Sequence, residues 1–180
     1  MPDILQVHDK YFVPYLSQEE IIEKVKALAY QINHDYKGKR PLFISILNGS
    51  FIFSADLFKF ITVEAEICFI KLASYKGTRS SGQIITAIGL DTDLTGRDII
   101  IVEDIIDTGK TINQFLPQVF NQQPASLKIA VLLHKPEATV FPVKIDYTCF
   151  TIPDKFVVGY GLDYNGLGRN LAQLYQLKED

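Results

Sequence analysis

Between residues 17 and 36 the apolar positions recur at helical spacing: Ile21, Val25, Leu28, Ala29 and Ile32 fall on one face, and Ser17 with Glu20 makes a capping box. An amphipathic helix running to Tyr36 is predicted. After the breaker KGKRP comes a short apolar run, LFISIL at 42–47, then Asn48-Gly49-Ser50 and the helix-like FIFSADLFKFI. That order reads as strand, tight loop, helix. Residues 65–73 and 83–88 read as strands separated by SYKGTRSSGQ, too polar to bury and long enough to form a mobile lid loop. DLTGRD makes a turn. IIIVED then forms a buried strand ending in two acids, followed by a helix that begins at Lys110 and that Pro117 should kink or shorten. KIAVLL at 128–133 is another buried strand, and TIPDKFVVGYGLDYNGLGRN mixes an apolar pair of strands with glycine-rich turns.

Strands that are apolar throughout, alternating with helices, specify an α/β fold with a mainly parallel sheet flanked by helices on both faces. The chain shows no repeat, low-complexity tract or linker, and its 180 residues suit one domain spanning 1–180. With 47% hydrophobic and 22% charged residues it has the composition of a folded globular protein. A net charge of -3 supplies no general attraction to nucleic acid or an anionic membrane, which leaves small ligands as the expected partners.

The segment MPDILQVHDKYFVPYL has no basic stretch leading into an apolar one, and no apolar run approaches the roughly 18 residues that span a bilayer. Cys68 and Cys149 lie in apolar segments without CxxC spacing, which suits buried reduced thiols and a cytoplasmic location. His8, His34 and His134 lack metal-ligand spacing.

The chemistry concentrates in IIIVEDIIDTGKT, residues 99–111. A buried strand delivers Glu103, Asp104 and Asp107, and then a Thr108-Gly109-Lys110-Thr111 turn, to the carboxyl end of the sheet, where open α/β folds bind ligands. The turn opens a helix, so its backbone N–H groups and the helix dipole favour a phosphate, with the hydroxyls of Thr108 and Thr111 as further donors. A triphosphate-binding GxxxxGK[ST] loop would need glycine at position 104, which is aspartate. Acids beside the cradle repel a β-phosphate, but they accept hydrogen bonds from vicinal ribose hydroxyls, directly or through a metal ion. The segment therefore reads as a ribose 5-phosphate site. The plain alternative is a set of solvated acids ahead of an ordinary helix start.

This stretch resembles the phosphoribosyl-diphosphate signature of the type I phosphoribosyltransferases, in the form found in their hypoxanthine-guanine branch. The resemblance extends to LNGS at 47–50, SY at 74–75, LLHK at 132–135 and IPDKFVVGYGLDYNGLGRN at 152–170. It implies a small hood formed by the terminal segments and a lid carrying Ser74 and Tyr75. The implied reaction is a Mg²⁺-dependent transfer of 5-phosphoribosyl from phosphoribosyl diphosphate to N9 of hypoxanthine or guanine, giving IMP or GMP and pyrophosphate in purine salvage.

By the same resemblance, Glu103 and Asp104 hold the ribose hydroxyls and metal. Asp107 is the general acid or base at purine N7, and residues Asp107, Thr108, Gly109, Lys110 and Thr111 take the 5-phosphate. Lys135 donates to O6, Phe156 stacks on the base and the Val157 main chain reads its edge. Asp163, at the base pocket, holds magnesium mainly through water, while Leu47, Asn48, Gly49 and Arg169 take the pyrophosphate. The 47–48 bond is expected to be a non-proline cis peptide. Asn48 departs from the pattern, because many relatives carry Lys or Arg there. Such enzymes commonly form homodimers or homotetramers. Xanthine as the base, or a ligand-sensing regulator on the same fold, are the competing readings; the intact Asp107 and the lack of a basic face oppose the regulator.

Overall fold

A computed structural model describes residues 4–74, 84–88 and 90–179. Its strands are β1 (Leu5–Val7), β2 (Lys10–Leu16), β3 (Leu42–Leu47), β4 (Glu66–Ser74), β5 (Ile84–Ile88), β6 (Asp98–Ile106), β7 (Ser126–His134), β8 (Tyr147–Thr151), β9 (Val157–Val158) and β10 (Leu174–Leu177). The helices are α1 (Gln18–Asp35), α2 (Phe51–Lys59) and α3 (Lys110–Phe120). The main sheet has the order β5-β4-β3-β6-β7-β8. Its five strands from β4 to β8 pair in parallel, and β5 closes one edge antiparallel to β4.

The central strands β3, β6 and β7 carry long apolar runs because the sheet is covered on both faces. Successive side chains point to opposite sides. Ile100 and Val102 of β6 join Ile21, Val25, Leu28 and Ile32 of α1 in one cluster. Ile99 and Ile101 join Ile112, Phe115 and Val119 of α3 in the other. With β3 and β7 as its neighbours, β6 runs through the centre of the sheet, and Ile99–Val102 are fully buried ahead of the residues that its carboxyl end carries.

A second, antiparallel sheet of order β1-β2-β10-β9 joins the two terminal segments, which is the hood that the resemblance implied. It has its own small core of Val7, Phe12, Val158 and Tyr175. Two expectations need correction. Strand β6 does not stop at its acids but continues pairing with β7 through Ile105 and Ile106, so Glu103 and Asp104 lie inside the strand. Helix α3 is not shortened at Pro117 and continues to Phe120, where the Asn121 N–H still donates to the Pro117 carbonyl at 3.0 Å. The lid expectation falls mostly outside the described residues: Ser74 ends β4, and Tyr75 lies beyond it.

The capping box forms as read. The Glu20 N–H donates to Ser17 Oγ at 3.2 Å, and the Ser17 N–H donates to Glu20 Oε2 at 2.8 Å. Ser17→Ala should cost about 1 kcal/mol of unfolding free energy in chemical denaturation. A loss below experimental error would show that the cap contributes nothing to α1.

Candidate active site

At the carboxyl end of the main sheet, the connections after β3, β6 and β7 converge under the hood. A cavity of about 230 Å³ there is lined by Asp104, Ile105, Asp107, Lys135, Phe156, Val157, Leu162 and Asp163. This is below the roughly 300–1,000 Å³ typical of sites for drug-sized ligands, as suits one planar heteroaromatic ring system. Lys135, 7% exposed, forms an ion pair with Asp154 at 3.1 Å. Phe156, 45% exposed, lies against Phe12 and Tyr164 of the hood with ring centroids 6.2 and 5.7 Å away. The neighbouring Val157 is buried and fixed by pairing of β9 with β10. An aromatic face, a cation and a stretch of main chain thus border one slot.

The carboxyls of the adjacent residues Glu103 and Asp104 meet and share a hydrogen bond. Glu103 is 9% exposed, and its Oε2 is buried with no hydrogen-bond partner among the described residues. Burial pushes its carboxyl well above the ordinary range, and the Asp104 charge pushes the same way. Burial also raises Asp104, against the hydrogen bond from Glu103 and the more distant charge of Arg169. The two carboxyls act as a coupled pair that calls for donors or a cation from a ligand. Glu103 also borders a cavity of about 20 Å³ shared with Asp107, Gly109 and Thr111, which lies against the phosphate turn.

Close packing leaves no room for a side chain at Gly49 or Gly109. At Gly49 a β-carbon would stand 1.6 Å from Asp104 Oδ2, so the 47–50 loop lies directly on that carboxylate. Leu47–Asn48 is a cis peptide, as the resemblance implied, and Asn48 is exposed. Beneath this loop the buried hydroxyls of Ser45, Ser50 and Ser54 bond to one another at 2.7 and 2.6 Å, and Ser50 Oγ donates to the Ile46 carbonyl at 2.5 Å. Gly109 has φ of 75°, and a β-carbon there would meet the Phe141 carbonyl at 2.2 Å.

The turn at 107–111 opens α3 with Gly109 as its N-cap. Its backing comes from the segment after β7: the Val140 and Phe141 N–H groups donate to the Thr108 carbonyl at 3.1 and 2.8 Å. Thr139 Oγ1 donates to the Asp107 carbonyl at 3.3 Å. Two cradle donors are engaged internally, the Thr108 N–H by Asp107 Oδ1 and the Lys110 N–H by Thr108 Oγ1. An arriving anion has to take their place. Lys110 and Thr111 are exposed at the mouth of the turn.

Arg169 donates to the Gly161 carbonyl at 2.7 Å and pairs with Asp163 at 2.6 Å, while the Gly166 N–H donates to Asp163 at 2.7 Å. Gly161 in turn lies on the Gly49 carbonyl. Arg169 therefore reaches the 47–50 loop through one intervening glycine. The residues read from the sequence are brought together, apart from the lid pair, which falls at and beyond the edge of the described residues. The serine cluster, Asp154 and residues 139–141 were not anticipated; the folded contacts reveal them, local for the serines and more distant for Asp154 and residues 139–141.

Residues 14–165 match the family of the phosphoribosyl transferase domain. The chain belongs to that family. Hypoxanthine-guanine phosphoribosyltransferases of Streptococcus pneumoniae and Lactococcus lactis are each 46% identical to it over 166 residues. The match covers 92% of this chain in both cases, and 92% and 90% of those proteins. Among solved structures, the hypoxanthine-guanine phosphoribosyltransferase of Bacillus anthracis superposes with a TM-score of 0.86 at 38% identity, covering 92% of this chain and 98% of the other. A hypoxanthine phosphoribosyltransferase from Staphylococcus aureus gives 0.87 at 36% identity, covering 98% and 92%.

The raised carboxyls make a prediction with a definite sign. Both bind protons more tightly folded than unfolded, so their contribution to stability is complete below the ordinary carboxylate pKa of about 4 and is lost as pH rises. Glu103→Gln removes the buried charge. In the unliganded protein its stability should match the parent near pH 4 and exceed it by about 1 to 3 kcal/mol at pH 8, read by chemical denaturation. An advantage that shrinks with rising pH would contradict the assignment.

Proposed function

We propose that this phosphoribosyltransferase makes purine nucleotides in salvage, transferring 5-phosphoribosyl from phosphoribosyl diphosphate to N9 of hypoxanthine or guanine with release of pyrophosphate. The observation that carries the reading is the single slot bordered by Lys135, Phe156 and Val157, opening onto Asp104 and Asp107. The names of the relatives support the same two bases.

The roles follow from the chemistry each group can perform. The 5-phosphate takes the N–H groups and hydroxyls of 108–111 at the start of α3, freeing Asp107 from its contact with Thr108. The ribose hydroxyls donate to Glu103 and Asp104, which supplies the partner that Glu103 Oε2 lacks. Displacement at C1 builds positive character on the sugar, and carboxylates held beside it stabilise that charge. As N9 attacks, Asp107 takes up or returns the proton at N7.

Lys135 donates to O6, and because the 6-amino group of adenine is itself a donor, the same contact rejects 6-aminopurines. The Phe156 ring covers the base and the Val157 main chain meets its edge. Gly49 and Arg169 receive the pyrophosphate, with a guanidinium able to hold two oxygens at once. Asn48 leaves the loop one cation short of many relatives.

Mg²⁺ belongs in this reading because it neutralises the departing pyrophosphate. Glu103, Asp104 and Asp163 are the residues that would hold it, by way of ribose hydroxyls and water. Among the described residues no three His, Cys, Asp or Glu side chains form a ligand set. An arrangement in which most ligands are substrate oxygens and water suits a cation that gives up its hydration reluctantly. The buried, unpartnered Glu103 oxygen is consistent with it.

The remaining parts of the reading are a lid at Ser74 and Tyr75, one domain over 1–180, a cytoplasmic setting in keeping with free Cys68 and Cys149, and a homodimer or homotetramer. Among the described residues no helix is long and apolar enough to cross a membrane.

Incubation with phosphoribosyl diphosphate, Mg²⁺ and each base should yield nucleotide from hypoxanthine or guanine and none from adenine. Asp107→Asn should lower turnover by roughly 10² to 10⁴. Absence of product from both 6-oxopurines would end the proposal, and unchanged turnover in the variant would remove Asp107 from the chemistry.

A further inference from the structure

The Lys135 ammonium is almost fully enclosed, and a buried cation is tolerated only with a counter-charge and hydrogen bonds. Among the described residues its ion-pair partner is Asp154, whose Oδ1 accepts from Nζ at 3.1 Å. Nothing in the base slot itself calls for this carboxylate, which is largely exposed. Its location explains it. The Ile152 N–H donates to the His134 carbonyl at 2.9 Å, so the chain leaving β8 is anchored beside the end of β7, one residue before Lys135. A tight turn follows, with the Lys155 N–H donating to the Pro153 carbonyl at 2.7 Å, and Asp154 sits at its tip.

Two residues later the same turn delivers Phe156, whose carbonyl accepts from the Leu177 N–H at 2.8 Å in the hood. Lys135 itself is fixed through its backbone, its N–H donating to the Ile106 carbonyl at 2.9 Å and its carbonyl accepting from Thr139 Oγ1 at 3.2 Å. Its long side chain is the remaining freedom, and the carboxylate removes it.

We infer that Asp154 is a positioning residue for base recognition: it holds the Lys135 ammonium at a fixed place relative to the Phe156 ring, so that one turn sets both the cation at C6 of the purine and the face that covers it. The inference rests on the function proposed above and deepens it. A lysine without this anchor still reaches the slot, but it spends rotamer entropy on each binding event and is aimed less well at O6. The contact at issue is with the base alone. The sugar phosphate is gripped by β6 and the start of α3, so the effect should divide the two substrates.

The experiment is calorimetric titration of the full chain with IMP, and separately with phosphoribosyl diphosphate and Mg²⁺. Five proteins are compared: the parent, D154N, D154E, K135A and the D154N/K135A double variant. D154N should weaken IMP binding about 10- to 100-fold, the effect of losing a charged hydrogen-bond partner, and leave the activated sugar within about twofold. D154E should recover most of the loss. In the K135A background D154N should add nothing, because the residue acts through the lysine.

Unchanged IMP affinity in D154N overturns the inference. So does an equal loss for both ligands, or a penalty that persists in full without Lys135, since each describes a merely structural residue. Failure of the proposed reaction shows separately, as a parent chain that forms no nucleotide from base and activated sugar. A parent that does not bind IMP overturns both.

Discussion

The site depends on two adjacent carboxyl groups near the carboxyl end of its central strand, Glu103 buried and Asp104 half-buried. An isolated charge in such a place is costly, and among the described residues neither acid forms an ion pair. The cost is borne because β6 is enclosed by β3 and β7 and by cores on both faces, so the surrounding fold keeps the acids in place. The result is a site biased toward a ligand that brings hydroxyl donors, positive charge, or both. A sugar whose reacting carbon becomes cationic during the reaction meets that requirement.

Close backbone contact then ties the surrounding loops to this centre. Gly49 lies on Asp104, and Gly161 lies on Gly49. Gly109 lies on the Phe141 carbonyl, in a segment that begins at Lys135 and also bonds to Asp107 and Thr108. The elements assigned to pyrophosphate, 5-phosphate and base are therefore joined by close contacts of main chain, with the Asp104 carboxylate and the Thr139 hydroxyl completing the links. That arrangement keeps their separations fixed while leaving the side chains free to exchange partners, as Asp107 must when a phosphate displaces it from the Thr108 N–H.

Much of this was legible in the residues. Period and capping placed α1, and continuous apolar runs placed β3, β6 and β7 because both faces of a parallel sheet are covered. The cradle was legible because it is local: acids, turn and helix start follow one another within 99–111. The hood strands β1, β2 and β10 were not: β1 and β10 are short, and β2, though seven residues long, contains Pro14, which weakens a strand signal. Hydropathy also ended β6 at its acids, whereas ladder pairing with β7 carries it further. The packing of Gly49 on Asp104, the serine cluster and the partner of Lys135 all join residues distant in sequence or unremarkable by type, so no pattern in a single chain announces them.

The most direct test of the claim that one buried strand end and one helix-opening turn grip the same sugar phosphate is a crystal structure with ribose 5-phosphate bound. The account predicts phosphate oxygens on the N–H groups of 108–111 and the 2- and 3-hydroxyls on Glu103 and Asp104. Density for the sugar phosphate at any other place, with that corner empty, would contradict it.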